Sequence, residues 1–559
     1  MKAFTEPLLS LAGFEEMTKT AEKSSGLISV TGCIDAQKSQ MIYAFGGHRK
    51  NKLIVTFGEQ KAKELYDEYS FFDKEVVYYP SKDVLFYQSD IRGNLLTAER
   101  IRALKAIHEQ ESVTLVTTFD ALMNTMAPIE KMWENVLTLE QGQLLDLKEI
   151  QAALIRMGYE KEYQVQTMGQ FSVRGGILDV FPLTEDNPIR IELWGDEIDT
   201  IRYFDCESQK SIENTDRVSI YPAAELVLSD EEKAGGIEKL KAEAKRVSDK
   251  LRKQMKTEEA HRVSVMADEL TEEWGELSMY AGMDAFLSYF FDERVGLLDY
   301  FNPSDSLIFF DELTRCAEQG KLTETEFSES MKQRLAMGYI LPGQMNGLFT
   351  EKEIVAKLEK YSCIALAALD NKANGLHQLG SYGIHCQSVS PYNNSFELLI
   401  KDLKRYKKNG YRVILLSGSR TRAKRLSEDI TDQGITCFYT ENYDHELFEG
   451  QIMVCYGKVR RGFEYPILKF AVITESDIFG AQQKKKKRHR TYEGEKIQSF
   501  TDLSVGDYVV HENHGLGIYR GIEKLEVDKK VKDYIKIEYQ GGSCLLYTSP
   551  SPRDRQKSR

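Results

Sequence analysis

GLISVTGCIDAQKS, residues 26–39, is a short apolar run followed by a near-match to a phosphate-binding loop. The pattern G-x-x-x-x-G-K-[ST] is met at Gly32, Lys38 and Ser39, but Gln37 stands where it requires glycine. Such a loop aims successive backbone N–H groups at phosphate oxygens at the start of a helix. Glycine before the lysine lets the backbone approach without a Cβ. Gln37 adds a bulky side chain there, and Asp35 places a carboxylate inside the loop, where it repels a triphosphate. Lys38 and Ser39 are retained, and the apolar LIFFDE (307–312) ends in Asp311 and Glu312 as a metal-holding strand would. The expectation is a strand–turn–helix junction that keeps the spacing of a nucleotide site without its chemistry. Its degenerate nucleotide loop comprises Gly32, Gln37, Lys38, Ser39, Asp311 and Glu312, with no catalytic residue and no bound cofactor.

Outward from this loop, short apolar runs alternate with amphipathic segments. KLIVTF (52–57), EVVYY (75–79) and VTLVTTF (113–119) are separated by helical stretches at 58–72 and 96–109. This alternation predicts a parallel sheet with helices on its faces. The texture changes near residue 158. In IRIELW (189–194), Ile189, Ile191 and Leu193 share one face, Arg190, Glu192 and Trp194 the other, and Gly195-Asp196 follows as a hairpin turn. Residues 227–295 are helix-rich and charged, and SLIFFDEL (306–313) returns to a buried strand. A second small α/β unit begins near 396. AQQKKKKRHRTYEGEK (481–496) reads as a basic linker, and the strands and Gly/Asn/Asp turns from 505 onward as a small β-barrel.

The expected fold class is therefore multidomain α/β. An ATPase-like domain occupies 1–140 and 227–395, interrupted by an antiparallel β module at 141–226. A small α/β domain (396–480), a basic linker (481–499) and an incomplete barrel (500–543) follow. The segment CLLYTSPSPRDRQKSR (544–559) is Ser/Pro/Arg-rich, unlike anything upstream, and reads as a translated adapter or cloning scar outside the fold. The totals agree with a multidomain chain: 559 residues with 42% hydrophobic and 29% charged content can bury several cores. A net charge of −13 excludes a chain that coats nucleic acid along its whole length. Eight scattered cysteines without a C-x-x-C pair suggest neither a zinc site nor a disulfide framework. His511 and His514 lack partners at ligand spacing, so no metal is expected. No signal peptide or membrane span is read from the sequence, and a cytoplasmic location is expected.

Together, the decayed loop, QFSVRGGILDVFP (170–182), IRIELWGDEIDTIRYFD (189–205) and VGDYVVHENHGLGIYRG (505–521) resemble the N-terminal half of bacterial transcription-repair coupling factors. The resemblance covers residues 1 to about 543. It implies a module similar to the excinuclease protein UvrB but without ATPase or helicase function, including a helicase-like α/β fold. A small divergent domain follows, and then a Tudor/SH3-like domain that binds the β chain of RNA polymerase. The resemblance also implies an ATP- and magnesium-dependent DNA translocase, of which this sequence carries no motif. The chain should therefore act only as a monomeric adaptor between stalled polymerase and the excinuclease protein UvrA, with DNA contacted mainly through that motor.

The resemblance assigns UvrA binding to Arg174, Arg190 and Trp194. Strand alternation places all three on faces turned from the core. It further implies that this surface is masked by a C-terminal domain in full-length members and is open here. The resemblance also implies polymerase docking by sheet augmentation near Leu525. The run Lys484, Lys485, Lys486, Lys487, Arg488 and Arg490 could neutralise DNA phosphates weakly. The rival expectation is an active, UvrB-like, ATP-dependent excinuclease helicase, against which Gln37 is the discriminating residue.

Overall fold

The computed structural model describes residues 1–46, 49–82, 94–276, 283–369, 375–480, 505–511, 515–527, 530–538 and 544–548. The run Gly26–Thr31 forms a strand buried on both faces, which is why it reads as continuously apolar. It lies within a seven-stranded sheet in the order 378–383, 26–31, 362–366, 306–311, 51–56, 113–118, 77–79. Every neighbouring pair is parallel, as the alternating pattern predicts. Strands Ser362–Leu366 and Gln378–Gly383 had no counterpart in the sequence reading.

A second, six-stranded sheet has the order 387–388, 463–465, 470–474, 412–417, 452–456, 438–439. It starts before residue 396, because Gln387–Ser388 pairs with Phe463–Glu464. One of its faces has its own core, with Leu399, Leu403, Val413, Leu415, Ile430 and Val454 in a separate cluster, while the other face is shared with the first sheet. Leu416, Met453, Cys455, Phe463 and Val472 join Phe4, Met41, Phe45, Phe71, Ile28 and Phe309 in one apolar cluster. The helix Asp35–Gly46 is enclosed in that cluster: Met41, Ile42 and Phe45 are buried, and so are Gln37, Lys38, Ser39 and Gln40. Tyr465 donates to Gln40 Oε1 at 3.3 Å across the seam.

The β module is a six-stranded sheet in the order 211–215, 197–204, 189–194, 177–180, 170–174, 160–161. It is antiparallel except for its last pair. Strand Leu137–Glu140 pairs with Arg217–Ile220, so the module opens at 137 rather than 141. Helices Asp230–Lys253 and Thr257–Glu276 form a hairpin around the buried Trp274; Ser229 and Glu232 make a reciprocal capping box at its start.

The C-terminal strands 508–511, 515–527, 530–538 and 544–548 form a four-stranded antiparallel sheet in chain order. This corrects the boundary expected at Ser543: Cys544–Thr548 pairs in register with Tyr534–Glu538. CLLYT is a short, nearly continuous apolar run of residues that strands accept, whatever the composition beyond it. No helix among the described residues is long and apolar enough to cross a membrane.

Candidate functional site: a closed nucleotide loop and a docking face

Gly32 ends the first strand with φ +78°, and a Cβ there would lie 2.1 Å from the Ile384 carbonyl oxygen, so the turn demands glycine. The following helix begins at Asp35 and carries Lys38 inward, 1% exposed. Its ammonium has three donors, and each faces a carboxylate: Asp311 at 2.5 Å, Glu312 at 2.9 Å and Asp35 at 3.2 Å. Burial works against the Lys38 charge, but Asp311 and Glu312 outweigh it and hold its pKa above the usual lysine range.

Asp311 also accepts from Thr56 Oγ1 at 3.1 Å, and Glu312 from the Ala368 N–H at 3.0 Å. Asp35 pairs with Lys61 at 2.9 Å. It supplies a negative charge at the helix N-terminus, where a phosphate would otherwise be favoured. Gln37 is fully buried. This arrangement does not fit a magnesium-bound triphosphate: the lysine's donors are committed, and three carboxylates crowd the loop. Three buried side-chain atoms of the loop have no hydrogen-bond partner among the described residues: Ser39 Oγ and the Gln37 Nε2 and Oε1.

The second sheet has a similar arrangement. At its strand-to-helix turn, Glu475 accepts from Ser417 Oγ at 2.9 Å and the Gly418 N–H at 2.8 Å, and it pairs with Arg422. A carboxylate of the chain itself therefore occupies the anion position there too.

In the β module, Phe171, Leu178, Val180, Ile189 and Ile191 face the core, and Arg174, Asp179 and Arg190 lie on the opposite face. The three residues assigned to docking differ in exposure: the Trp194 residue is 84% exposed, the Arg174 side chain 38% and that of Arg190 only 13%. Arg190 lies on the face turned from the core, where strand alternation places it, but most of its side chain is covered there. Its Nε and Nη2 donate to Asp179 at 2.7 and 2.9 Å, and Nη2 also reaches Gln209 at 2.9 Å. Its guanidinium stacks on Phe204, 4.3 Å from the ring centroid. The Asp179 hydrogen bond, strengthened by charge, raises the Arg190 pKa further.

Asp179 was not among the residues singled out from sequence. Alternation in GGILDVFP put it on the arginine face, but its register against Arg190 belongs to the pairing of two strands. The register shift after Glu192 turns the strand end, and Trp194 stands beside a hollow of about 710 Å³ lined by Glu140, Glu197, Asp199, Asp216 and Arg217.

Leu525 lies in the strand Gly515–Val527, opposite Lys532; its side chain is outside the described residues. Strand 508–511 covers residues 515–518 of its other edge and the backbone of Gly506 and Asp507 bonds Tyr519, so the edge beyond Tyr519 has no partner strand among the described residues. The basic run Lys484–Arg490 and His514 lie outside the described residues, as does the His511 side chain.

Fold and site together define a multidomain α/β protein with an inserted β module and a small C-terminal β domain. The module matches the UvrB interaction domain family over residues 137–226, and the C-terminal sheet the CarD-like/TRCF RID domain family over 503–549. The second match also extends past the boundary expected at 543. Most of the chain is similar to curated transcription-repair-coupling factors. The Bacillus subtilis (strain 168) protein is 30% identical over 496 residues, covering 88% of this chain and 42% of that relative. The protein of Staphylococcus epidermidis (strain ATCC 12228 / FDA PCI 1200) is 30% identical over 531 residues, 93% of this chain and 44% of its own. That of Staphylococcus aureus (strain NCTC 8325 / PS 47) is 28% identical over 548 residues, 95% and 45%. The chain spans less than half the length of these relatives. It carries a region like the N-terminal part of transcription-repair-coupling factors.

Proposed function

We propose that this chain is a nucleotide-free docking scaffold that couples transcription to nucleotide excision repair in the bacterial cytoplasm. Its β module engages the excinuclease protein UvrA through Trp194 and Arg174, supported by Arg190. Its C-terminal sheet engages the β chain of RNA polymerase along the open edge that contains Leu525. The α/β body holds the two apart and turns over no ATP. The observation that carries this reading is the coexistence, in one chain, of the two matched modules and a loop whose lysine is fully committed to carboxylates.

Exposed tryptophan and arginine are the residue types whose truncation costs most at protein interfaces. Capture of purified UvrA by the immobilised chain tests the β-module assignment. Trp194→Ala should weaken it by about 2 kcal/mol, roughly 30-fold. Undiminished capture by that variant, with Arg174→Ala equally silent, would remove the assignment.

The second reading, an active UvrB-like helicase, has one observation in its favour. The Ser39 hydroxyl, where phosphate loops hold magnesium, is buried without a protein partner. For that reading to hold, Lys38 must leave the nearly buried Asp311 and the adjacent Glu312 to meet a phosphate, at the cost of uncompensated charge.

A further inference from the structure

Asp179 sits in the strand Ile177–Val180 between Leu178 and Val180, both in the core, so its carboxylate emerges on the arginine face with its backbone fixed on both sides. It is 1% exposed. A carboxylate this deep is stable only when both its oxygens are satisfied by charged donors. Its Oδ1 takes Arg190 Nε at 2.7 Å, and its Oδ2 takes Arg190 Nη2 at 2.9 Å and Arg174 Nη2 at 3.0 Å. Two arginines from two flanking strands thus share one buried anion, and Gln209 locks Arg190 from the other side.

We infer that Asp179 is the positioning residue of the docking face. It holds Arg174 and Arg190 as one preorganised donor set, and Arg190 acts chiefly as a strut beneath Arg174. This rests on the assignment of that face to protein docking.

Three features carry it. Arg190 is mostly covered, bound edge-on by the carboxylate and stacked on Phe204, so little of it remains to touch a partner. Arg174 commits only Nη2, and its Nε and Nη1 have no partner among the described residues. A guanidinium with one nitrogen anchored and its remaining donors open is suited to an incoming carboxylate, because less rotamer freedom is lost on binding. Tyr163, 83% exposed, lies 6.0 Å from the Arg174 guanidinium carbon and limits its swing on the other side. The partner surface that fits is therefore an acidic side chain opposite Arg174 beside an apolar recess for Trp194.

The test uses the full chain and purified UvrA. Asp179→Asn keeps the shape and one acceptor but removes the charge. It should weaken binding about tenfold, the scale of a lost hydrogen bond to a charged group. In an Arg174→Ala background the same change should alter binding less than about twofold, since the residue it positions is gone. A purely structural role would shift the thermal midpoint equally in both backgrounds and show no such coupling in binding. Gln209→Ala, at a partly exposed side chain outside the core, provides a variant that does not risk the fold; it should weaken binding a few-fold while the midpoint is held.

Wild-type affinity in both Asp179→Asn and Gln209→Ala, while Arg174→Ala and Trp194→Ala lose binding, would overturn the positioning role and leave the docking face standing. Wild-type affinity in all four would overturn the docking face itself. A binding loss of the same size for Asp179→Asn in both backgrounds would also overturn positioning.

Discussion

At the residue scale the decisive side chain is Lys38. In a working phosphate loop its charge meets a ligand; here three carboxylates meet it, two of them from the end of the strand Ser306–Asp311 and the residue after it. Lys38→Ala therefore leaves Asp311, 1% exposed at its side chain, beside Glu312 with no cation between them. Breaking a buried pair from one side costs about 3 to 5 kcal/mol. Urea denaturation of the full chain should show that loss, and a variant as stable as the wild type would mean the cluster is hydrated rather than closed. Part of this was legible in the sequence. Gln37 and Asp35 signalled a spoiled loop, and Asp311-Glu312 signalled the old metal strand. That the strand's own carboxylates close on the lysine depends on the parallel pairing of strands far apart in sequence, which no local pattern encodes. Asp179 was missed for the same reason: a single aspartate in an apolar run is ambiguous until the neighbouring strand brings Arg190 to it.

At the scale of elements, the helix Glu59–Tyr69 shows how the two sheets are joined. Glu68 on this helix is 8% exposed at the seam with the segment after strand 452–456, and Arg460 of that segment pairs with Glu64. Burial pushes the Glu68 carboxyl up from 4.5 to about 7, with Arg460 and Lys61 pulling against it and Asp35 adding to it. A carboxyl raised in the folded state binds its proton more tightly folded than unfolded. Its contribution is therefore full below pH 4.5 and lost as pH rises through about 7. Glu68→Gln should match the wild type near pH 4.5 and exceed it at pH 8 by up to about 3 kcal/mol. Urea midpoints at the two pH values decide this; a wild type more stable than Glu68→Gln at pH 8 would mean the Arg460 interaction outweighs burial. The helix itself was readable from its apolar spacing. Its role as a seam was not, because the segment 396–480 has enough apolar residues to look like a self-contained unit.

At the scale of the molecule, one apolar cluster unites the two sheets, with the helix Asp35–Gly46 enclosed in it. That enclosure gives Gln37 a reason. A helix buried along most of its length, with Asp35 exposed and Tyr43 and Ala44 half-buried, needs volume at Gln37 and not an open cradle, and a nucleotide would have to part the same layers that hold the body together. The architecture of alternating strands and helices, the inserted β module and the small C-terminal β domain were legible as periodicity and turn chemistry. The shared core, the early start of the second sheet at Gln387 and the strand Cys544–Thr548 were not, because each is fixed by pairing partners rather than by local pattern. The account predicts a body that binds partners and leaves nucleotide alone, and calorimetric titration of the full chain with magnesium-ATP tests that directly. No binding heat should appear up to millimolar nucleotide, in the wild type or in Lys38→Ala. Micromolar affinity in the wild type that disappears in Lys38→Ala would contradict it.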